Sequence, residues 1–327
     1  MSSYSVIVSF ESSDEIRRGI KAAIGSVAKI IYLTKLSKKD RITALKKCSA
    51  IIVLRPKKEL SAEELSMFDG KLIQSLTAGV DTYPFSIIPP SAILAHNGGA
   101  FAQPMAEYVL GVLLNHFRKL QDRYNKLKIG NWDQFLPTRM LRGLTCGIIG
   151  YGSTGKEITR LLHPMGVNIK GINSKGKSEK HVKFMGTLEH LDTVLSSSDI
   201  VIITIALNKA THNLFDSIKF SKMKTNAIFI NIARGKIVDQ QALYDWLITN
   251  KDGYACIDAW WREPVTEGDY NTEFPFLELP NFFGSPHNSA IVHGAYEYAA
   301  NHAALNVRKF ILGKKIQRIV NIEDQRK

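Results

Sequence analysis

A spaced glycine triplet constrains this chain more than any other feature. It reads Leu144-Thr-Cys-Gly-Ile-Ile-Gly150-Tyr-Gly152-Ser-Thr-Gly155-Lys-Glu-Ile-Thr-Arg-Leu-Leu. An apolar run leads into it and an amphipathic helical pattern leads out, the setting in which GxGxxG cradles a dinucleotide. There Gly150 permits the tight turn, Gly152 lets the backbone approach a pyrophosphate, and Gly155 lets helix and strand pack closely. The helix start offers N–H groups and a positive dipole end to phosphates. The plain alternative is a strand-to-helix turn with no ligand, and the strand that follows weighs against it.

That next strand, Val167–Ile172, ends at Asn173, 23 residues after Gly150. An NAD-binding turn usually carries Asp or Glu there, accepting from the ribose 2′-OH. Asn173 has no charge, and Ser174, Lys175 and Lys177 follow it. An amide and two ammoniums attract a 2′-phosphate that a carboxylate would repel, so NADP is favoured over NAD. The alternative is a basic surface turn that tolerates either cofactor.

Around this unit strand-like and helix-like segments alternate, which predicts an α/β protein with parallel sheets. Upstream, strands are predicted at Tyr4–Phe10, Ile30–Leu33, Ala50–Leu54, Leu72–Leu76 and Ala92–Ala95. Helices are predicted at Ser13–Ile24 and from Ser61 to Met67, the latter with a Ser61/Glu64 capping box. One continuous helix is expected from Gln103 to about Lys128. Later strands are Cys146–Ile149, Ile200–Ile205, Ala227–Asn231, Tyr254–Asp258 and a short Phe282–Gly284. Helices fall at Lys156–His163, Thr187–Ser196, Ser217–Lys222, Gln240–Asn250 and His293–Leu312.

The 327 residues fit two domains, and 45% apolar with 22% charged residues is a globular composition. Cys48, Cys146 and Cys256 are far apart and form no CxxC, which argues against a disulfide framework or a zinc site. No metal is expected. The Tyr4–Phe10 run lacks a basic segment before it, and no stretch reaches the roughly 18 apolar residues of a membrane span. The expectations are no membrane association and a cytoplasmic location. The net charge of +13 is spread along the chain without interleaved aromatics, so nucleic acid is not an expected partner.

Met223-Lys-Thr-Asn-Ala-Ile-Phe-Ile-Asn231-Ile-Ala-Arg234-Gly235-Lys-Ile-Val-Asp239 resembles the signature of the D-2-hydroxyacid dehydrogenases. Ile257-Asp258-Ala-Trp-Trp-Arg-Glu263-Pro264 and Leu279-Pro-Asn-Phe-Phe-Gly-Ser-Pro286-His287 agree in order. Leu76-Thr-Ala78-Gly79-Val80-Asp81 and Met105-Ala-Glu107-Tyr-Val are similar to the family's substrate-loop and linker-helix motifs. The resemblance implies two Rossmann-like domains with doubly wound parallel sheets, the substrate domain being discontinuous. Residues 1–98 with 291–327 would bind substrate, residues 99–290 the dinucleotide. A homodimer is expected through the long helix. A C-terminal serine-feedback module is not expected.

Reducing a 2-oxo acid requires a cation for its carboxylate and carbonyl, and a proton donor for the developing alkoxide. Arg234 fits the first role, because its planar fork grips carboxylate or carbonyl oxygens. His287 fits the second, since imidazole can act as acid or base near neutral pH. Glu263 would hold that ring in place. Glu where formate dehydrogenases of the superfamily carry Gln argues against formate. The resemblance places Asp258 near the nicotinamide amide, with a buried structural Asp as the alternative. It also puts Tyr151, Ser153, Thr154, Ser174, Ala206 and Ala233 with the cofactor. The Ala78-Gly79-Val80 turn would present backbone N–H groups to the substrate carboxylate, and Arg55 could reach a second anionic group. Two departures stand out near the expected cleft. Ala206 replaces the usual Pro, and Trp260-Trp261 replace smaller residues.

The expected activity is hydride transfer between a nicotinamide cofactor and a small D-2-hydroxy or 2-oxo acid such as glyoxylate, hydroxypyruvate or phosphoglycerate. The alternative is a catalytically silent dinucleotide-sensing or corepressor-like protein of the same fold.

Overall fold

The computed structural model describes residues 4–322. They fall into two compact units, one running up to Phe101 and resumed from Val292, the other spanning Ala102–Ile291.

The first unit opens with β1 (Ser5–Val8), α1 (Asp14–Ile24), β2 (Lys29–Tyr32), α2 (Lys38–Lys47), β3 (Ala50–Val53), α3 (Pro56–Glu59), α4 (Ala62–Ser66), β4 (Leu72–Ser75) and β5 (Ile93–Ala95). Its sheet is all parallel in the order β2-β1-β3-β4-β5. Every residue of β3 and β4 is buried, as a sheet covered on both faces demands. The capping box forms as expected. Ser61 N–H donates to Glu64 Oε2 at 2.9 Å, and Glu64 N–H to Ser61 Oγ at 3.1 Å.

The second unit contains α5 (Ala102–Arg118), α6 (Leu120–Lys128), β6 (Thr145–Ile149), α7 (Ser153–Leu162), β7 (Asn168–Ile172), β8 (Val182–Gly186) and α8 (Leu191–Ser197). It continues with β9 (Ile200–Ile203), α9 (Ser217–Ser221), β10 (Ile228–Asn231), α10 (Gln240–Thr249), β11 (Tyr254–Ile257), α11 (Pro264–Glu267) and β12 (Phe282–Gly284). The last helix, α12 (Ala295–Ile311), returns to the first unit and packs on α1. The second sheet is also parallel, in the order β12-β11-β10-β9-β6-β7-β8. Strand order reverses between β6 and β9, and ligands of open α/β sheets bind outside the carboxyl ends at such a switch point. Both sheets are doubly wound, with apolar cores on each face.

Two expectations on elements change. The long helix is broken at Lys119, whose φ is +50°. The Asn115 side chain accepts the Gln121 N–H at 3.2 Å and starts α6 afresh. α5 buries an apolar stripe, while α6 buries no residue. The helix α2 and the edge strand β8 were not expected. The first carries one buried residue, Leu45, and the second is mostly half-buried. No described helix is long and apolar enough to cross a membrane.

Candidate functional site

The glycine turn sits at the switch point. Gly150 has φ +97°, and a Cβ there would meet Ile205 N at 2.3 Å, so only glycine fits. Gly150 and Tyr151 N–H both donate to Ile172 O, at 2.9 and 2.6 Å, which ties the turn to β7. Thr204, just past β9, donates its hydroxyl to Gly150 O at 2.9 Å. The first bond of α7 runs from Lys156 N–H to Gly152 O. The N–H groups of Ser153, Thr154 and Gly155 therefore stand ahead of the helical ladder, at its positive end. At Gly152 a Cβ would find nothing nearer than Gly150 O at 3.8 Å, so the backbone is open to a phosphate. This cradle fits a dinucleotide pyrophosphate. Tyr151 turns its ring inward, where it is buried and donates to Thr159 Oγ1 at 2.9 Å. Its side chain is therefore removed from the expected contacts.

Past β7, Asn173 folds the next loop. Its Oδ1 accepts Lys175 N–H at 2.9 Å and its Nδ2 donates to Lys177 O at 3.3 Å. Ser174, Lys175 and Lys177 are exposed. The loop's one carboxylate, Glu179, pairs with Lys156 of α7 at 2.8 Å. Ala206 is exposed after β9, and its carbonyl accepts the Thr211 hydroxyl at 2.7 Å.

Arg234, Glu263 and His287 follow three strands that are neighbours in the sheet. Asn231 pairs with Ile257, and Ile257 with Gly284, so the ends of β10, β11 and β12 lie level. After β10 the buried Asn231 side chain closes the loop, accepting Ala233 N–H at 3.0 Å and donating to Arg234 O at 2.9 Å. Arg234 is extended, φ −146° and ψ 140°, and its guanidinium donates to Ala233 O at 2.7 Å. Gly235 is pressed against the next loop. A Cβ there would lie 2.2 Å from the Trp260 carbonyl carbon.

His287 Nδ1 lies 2.8 Å from Glu263 Oε2 and 2.9 Å from Oε1. The carboxylate also accepts Trp260 N–H at 2.8 Å. Burial pushes the Glu263 carboxyl up. The His287 hydrogen bond and charge, the Trp260 N–H and the Arg234 charge together outweigh burial and hold it below its ordinary value. His287 has φ +52°, a left-handed conformation that costs a non-glycine residue about 1 kcal/mol or more.

What holds it there is Asp258, which is fully buried. Its backbone carbonyl accepts the His287 N–H at 3.0 Å. Its carboxylate accepts Ser285 Oγ at 2.6 Å, Asn288 N–H at 2.9 Å and Ser289 N–H at 3.1 Å. Asp258 is thus enclosed and met by the protein's own donors, the arrangement of the buried structural Asp given above as the alternative. Trp260 and Trp261 are held by their ring N–H groups. Trp260 Nε1 donates to Ser285 O at 2.7 Å, and Trp261 Nε1 to Val238 O at 2.6 Å, so the pair ties the Arg234 loop to the His287 loop. Tyr108 and Ser285 also enter this network; both lie inside the quoted motifs, at Met105–Val109 and Leu279–His287, but carried no expected role.

In the other unit, Arg55 is exposed after β3, and its N–H donates to Glu59 Oε1 at 2.5 Å. The Ala78-Gly79-Val80 turn follows β4 and is shaped by Thr77, whose hydroxyl donates to Gly79 O at 2.9 Å. Beneath it, buried Asn97 donates to Leu76 O and Ala299 O, both at 2.9 Å.

A doubly wound sheet with a glycine cradle at its switch point, and a paired His and Glu beyond three adjacent strands, defines a dinucleotide-binding α/β protein. Residues 110–289 match the family model described as D-isomer specific 2-hydroxyacid dehydrogenase, NAD binding domain, and the chain belongs to that family. A D-3-phosphoglycerate dehydrogenase of Archaeoglobus fulgidus is 28% identical over 293 residues, 88% of this chain and 54% of that protein. The chain thus spans about half the length of that relative. The glyoxylate reductase/hydroxypyruvate reductase of Homo sapiens is 28% identical over 250 residues, 75% of each. The solved structure of a D-isomer specific 2-hydroxyacid dehydrogenase from Xanthobacter autotrophicus, in complex with NADPH and MES, is similar with a TM-score of 0.81. It is 22% identical and covers 99% of both chains, a likeness of fold.

Gly235→Ala is expected to destabilise the protein by about 2 kcal/mol, because the new methyl meets fixed backbone and the two loops must part. Thermal denaturation checks this, and an unchanged midpoint would refute the close packing.

Proposed function

We propose that this chain is an NAD(P)-dependent oxidoreductase acting between D-2-hydroxy acids and 2-oxo acids. The observation that carries the reading is the His287–Glu263 pair, 2.8 Å apart, beyond the strand next to the Arg234 loop. A bound nicotinamide supplies or accepts the hydride at the substrate C2. Arg234 holds the acid and polarises its 2-oxo group. His287 gives a proton to the developing alkoxide in reduction and takes it back in oxidation. Glu263 occupies Nδ1, so Nε2 is the nitrogen that exchanges the proton. Ser153, Thr154 and Gly155 are assigned to the pyrophosphate. The Ala78-Gly79-Val80 turn and Arg55 are assigned to the substrate's anionic groups on their chemistry, and the unit carrying them to substrate binding.

NADP is the proposed cofactor. Asn173 leaves no carboxylate at the strand end, and Glu179 is neutralised by Lys156, which leaves Lys175, Lys177 and Lys180 as the loop's net charge. Glyoxylate, hydroxypyruvate and phosphoglycerate are the first acids to try. The protein is also proposed to be a homodimer. α6 and the segment after it expose Leu120, Tyr124, Leu127, Ile129, Trp132 and Phe135, the last 89% exposed, and an apolar band of this kind marks an association surface.

With NADPH and a panel of 2-oxo acids, the protein is expected to oxidise cofactor, and His287→Ala to lower kcat about 100-fold or more. Tight NADPH binding without turnover on any acid would instead support a dinucleotide sensor. Lys175→Ala is expected to raise KM for NADPH by about 5-fold, the scale of one exposed charge contact, with KM for NADH unchanged. Equal effects on both would undo the cofactor assignment. Light scattering is expected to give twice the chain mass, and Phe135→Glu to give a monomer; a monomeric parent protein would end the dimer proposal.

A further inference from the structure

Behind the His287 loop lies a run of hydroxyl groups. The Tyr108 hydroxyl, from α5, is 2.5 Å from Ser285 Oγ, and Ser285 Oγ is 2.6 Å from Asp258 Oδ1. An ionised carboxylate only accepts, so the single Ser285 proton goes to Asp258. Ser285 Oγ must then accept from Tyr108. The phenol in turn has Cys256 Sγ at 3.6 Å. Burial first, then Cys256, pushes the Tyr108 phenol well above its ordinary range, so it keeps the proton it donates. Every donor direction in the run is therefore set.

The run ends at the backbone of the site. Asp258 clamps the N–H groups of Asn288 and Ser289, directly after His287. His287 N–H points at both Asp258 O and Ser285 O, each at 3.0 Å. Trp260 Nε1 holds the same Ser285 carbonyl. Ser285 thus touches the loop through its hydroxyl on one side and its carbonyl on the other. It stands two residues before a histidine whose φ of +52° a free chain would abandon.

We infer that Ser285 and Tyr108 are positioning residues for the proton-transfer step. The Tyr108–Ser285–Asp258 run fixes the left-handed backbone of His287 and so aims Nε2 at the reacting oxygen. This rests on the proposed reading in which His287 moves the proton. Neither residue touches the substrate, and the run transfers no proton itself. Small errors in aim have large effects on rate, up to about 100-fold for 1 Å.

The test uses the full chain with NADPH and glyoxylate. Ser285→Ala is expected to lower kcat about 10-fold, while KM and the Kd for NADPH stay within about 2-fold of the parent protein. Ser285→Thr, which keeps the hydroxyl, restores kcat. Tyr108→Phe gives a smaller loss of about 3-fold, and the double variant is no slower than Ser285→Ala, because the two act as one unit. A kcat for Ser285→Ala within 2-fold of the parent, or a Ser285→Thr as slow as the Ala variant, overturns the inference. Should Ser285→Ala not fold, Tyr108→Phe decides alone, and an unchanged kcat overturns it. His287→Ala at full activity would sink the underlying reading instead, which keeps the two failures apart.

Discussion

A buried carboxylate organises the end of the second sheet where Arg234, Glu263 and His287 lie. Asp258 is the first residue past β11, the strand between the two others that lead to the site. Burying a carboxylate is costly unless its oxygens are met by donors. Here a serine hydroxyl and two backbone N–H groups meet them, and all three donors come from the loop after β12. Satisfying Asp258 and folding that loop are therefore one event. The unusual φ of His287 is then a consequence, since the chain turns there to bring Asn288 and Ser289 under the carboxylate. Removing any one donor would expose the remaining ones to an unbalanced buried charge, so the loop has little freedom to relax.

The two tryptophans extend this rigidity sideways. Trp260 reaches the β12 loop and Trp261 the β10 loop, and Trp261 also stacks on Phe276 with ring centroids 5.4 Å apart. The three loops that carry Arg234, Glu263 and His287 share one aromatic wedge. Large residues there need not narrow a substrate pocket, because both rings are turned into the core. The contact is close enough that the Arg234 loop needs a glycine where it crosses the Trp260 peptide.

The strands with uniform burial were legible from their runs of Ile and Val, as in Ala50–Val53 and Ile200–Ile203. The glycine turn and the Arg, Glu and His positions were legible because each falls at a fixed offset from a strand end. Elements at the sheet edges were harder to read. β8 mixes Lys183 with Phe184 and Met185, and α2 is Lys38-Lys-Asp-Arg-Ile-Thr-Ala-Leu-Lys-Lys47, with too few buried positions to show a period. The break at Lys119 was invisible for a different reason. Helical spacing continues through it, and only the Asn115 side chain reveals the restart. The enclosure of Asp258 was equally hidden, since its donors come from residues 27 to 31 positions later.

The Glu263–His287 pair shows why a carboxylate, and not its amide, suits this place. Two donors converge on Glu263, the Trp260 N–H and the imidazole Nδ1. A carboxylate accepts both without choosing between its oxygens. Glutamine would keep one accepting oxygen for the Trp260 N–H and set its NH2 against the ring, so Nδ1 would have to accept and the ring hydrogen would move to Nε2. The carboxylate therefore settles the tautomer of the neutral ring: with Nδ1 bearing hydrogen toward Glu263, the lone pair lies on Nε2. That assignment needs Glu263 ionised although it is mostly buried, which the neighbouring donors and the Arg234 charge secure. Arg234 thus acts on the histidine through the glutamate, besides its proposed role on the substrate.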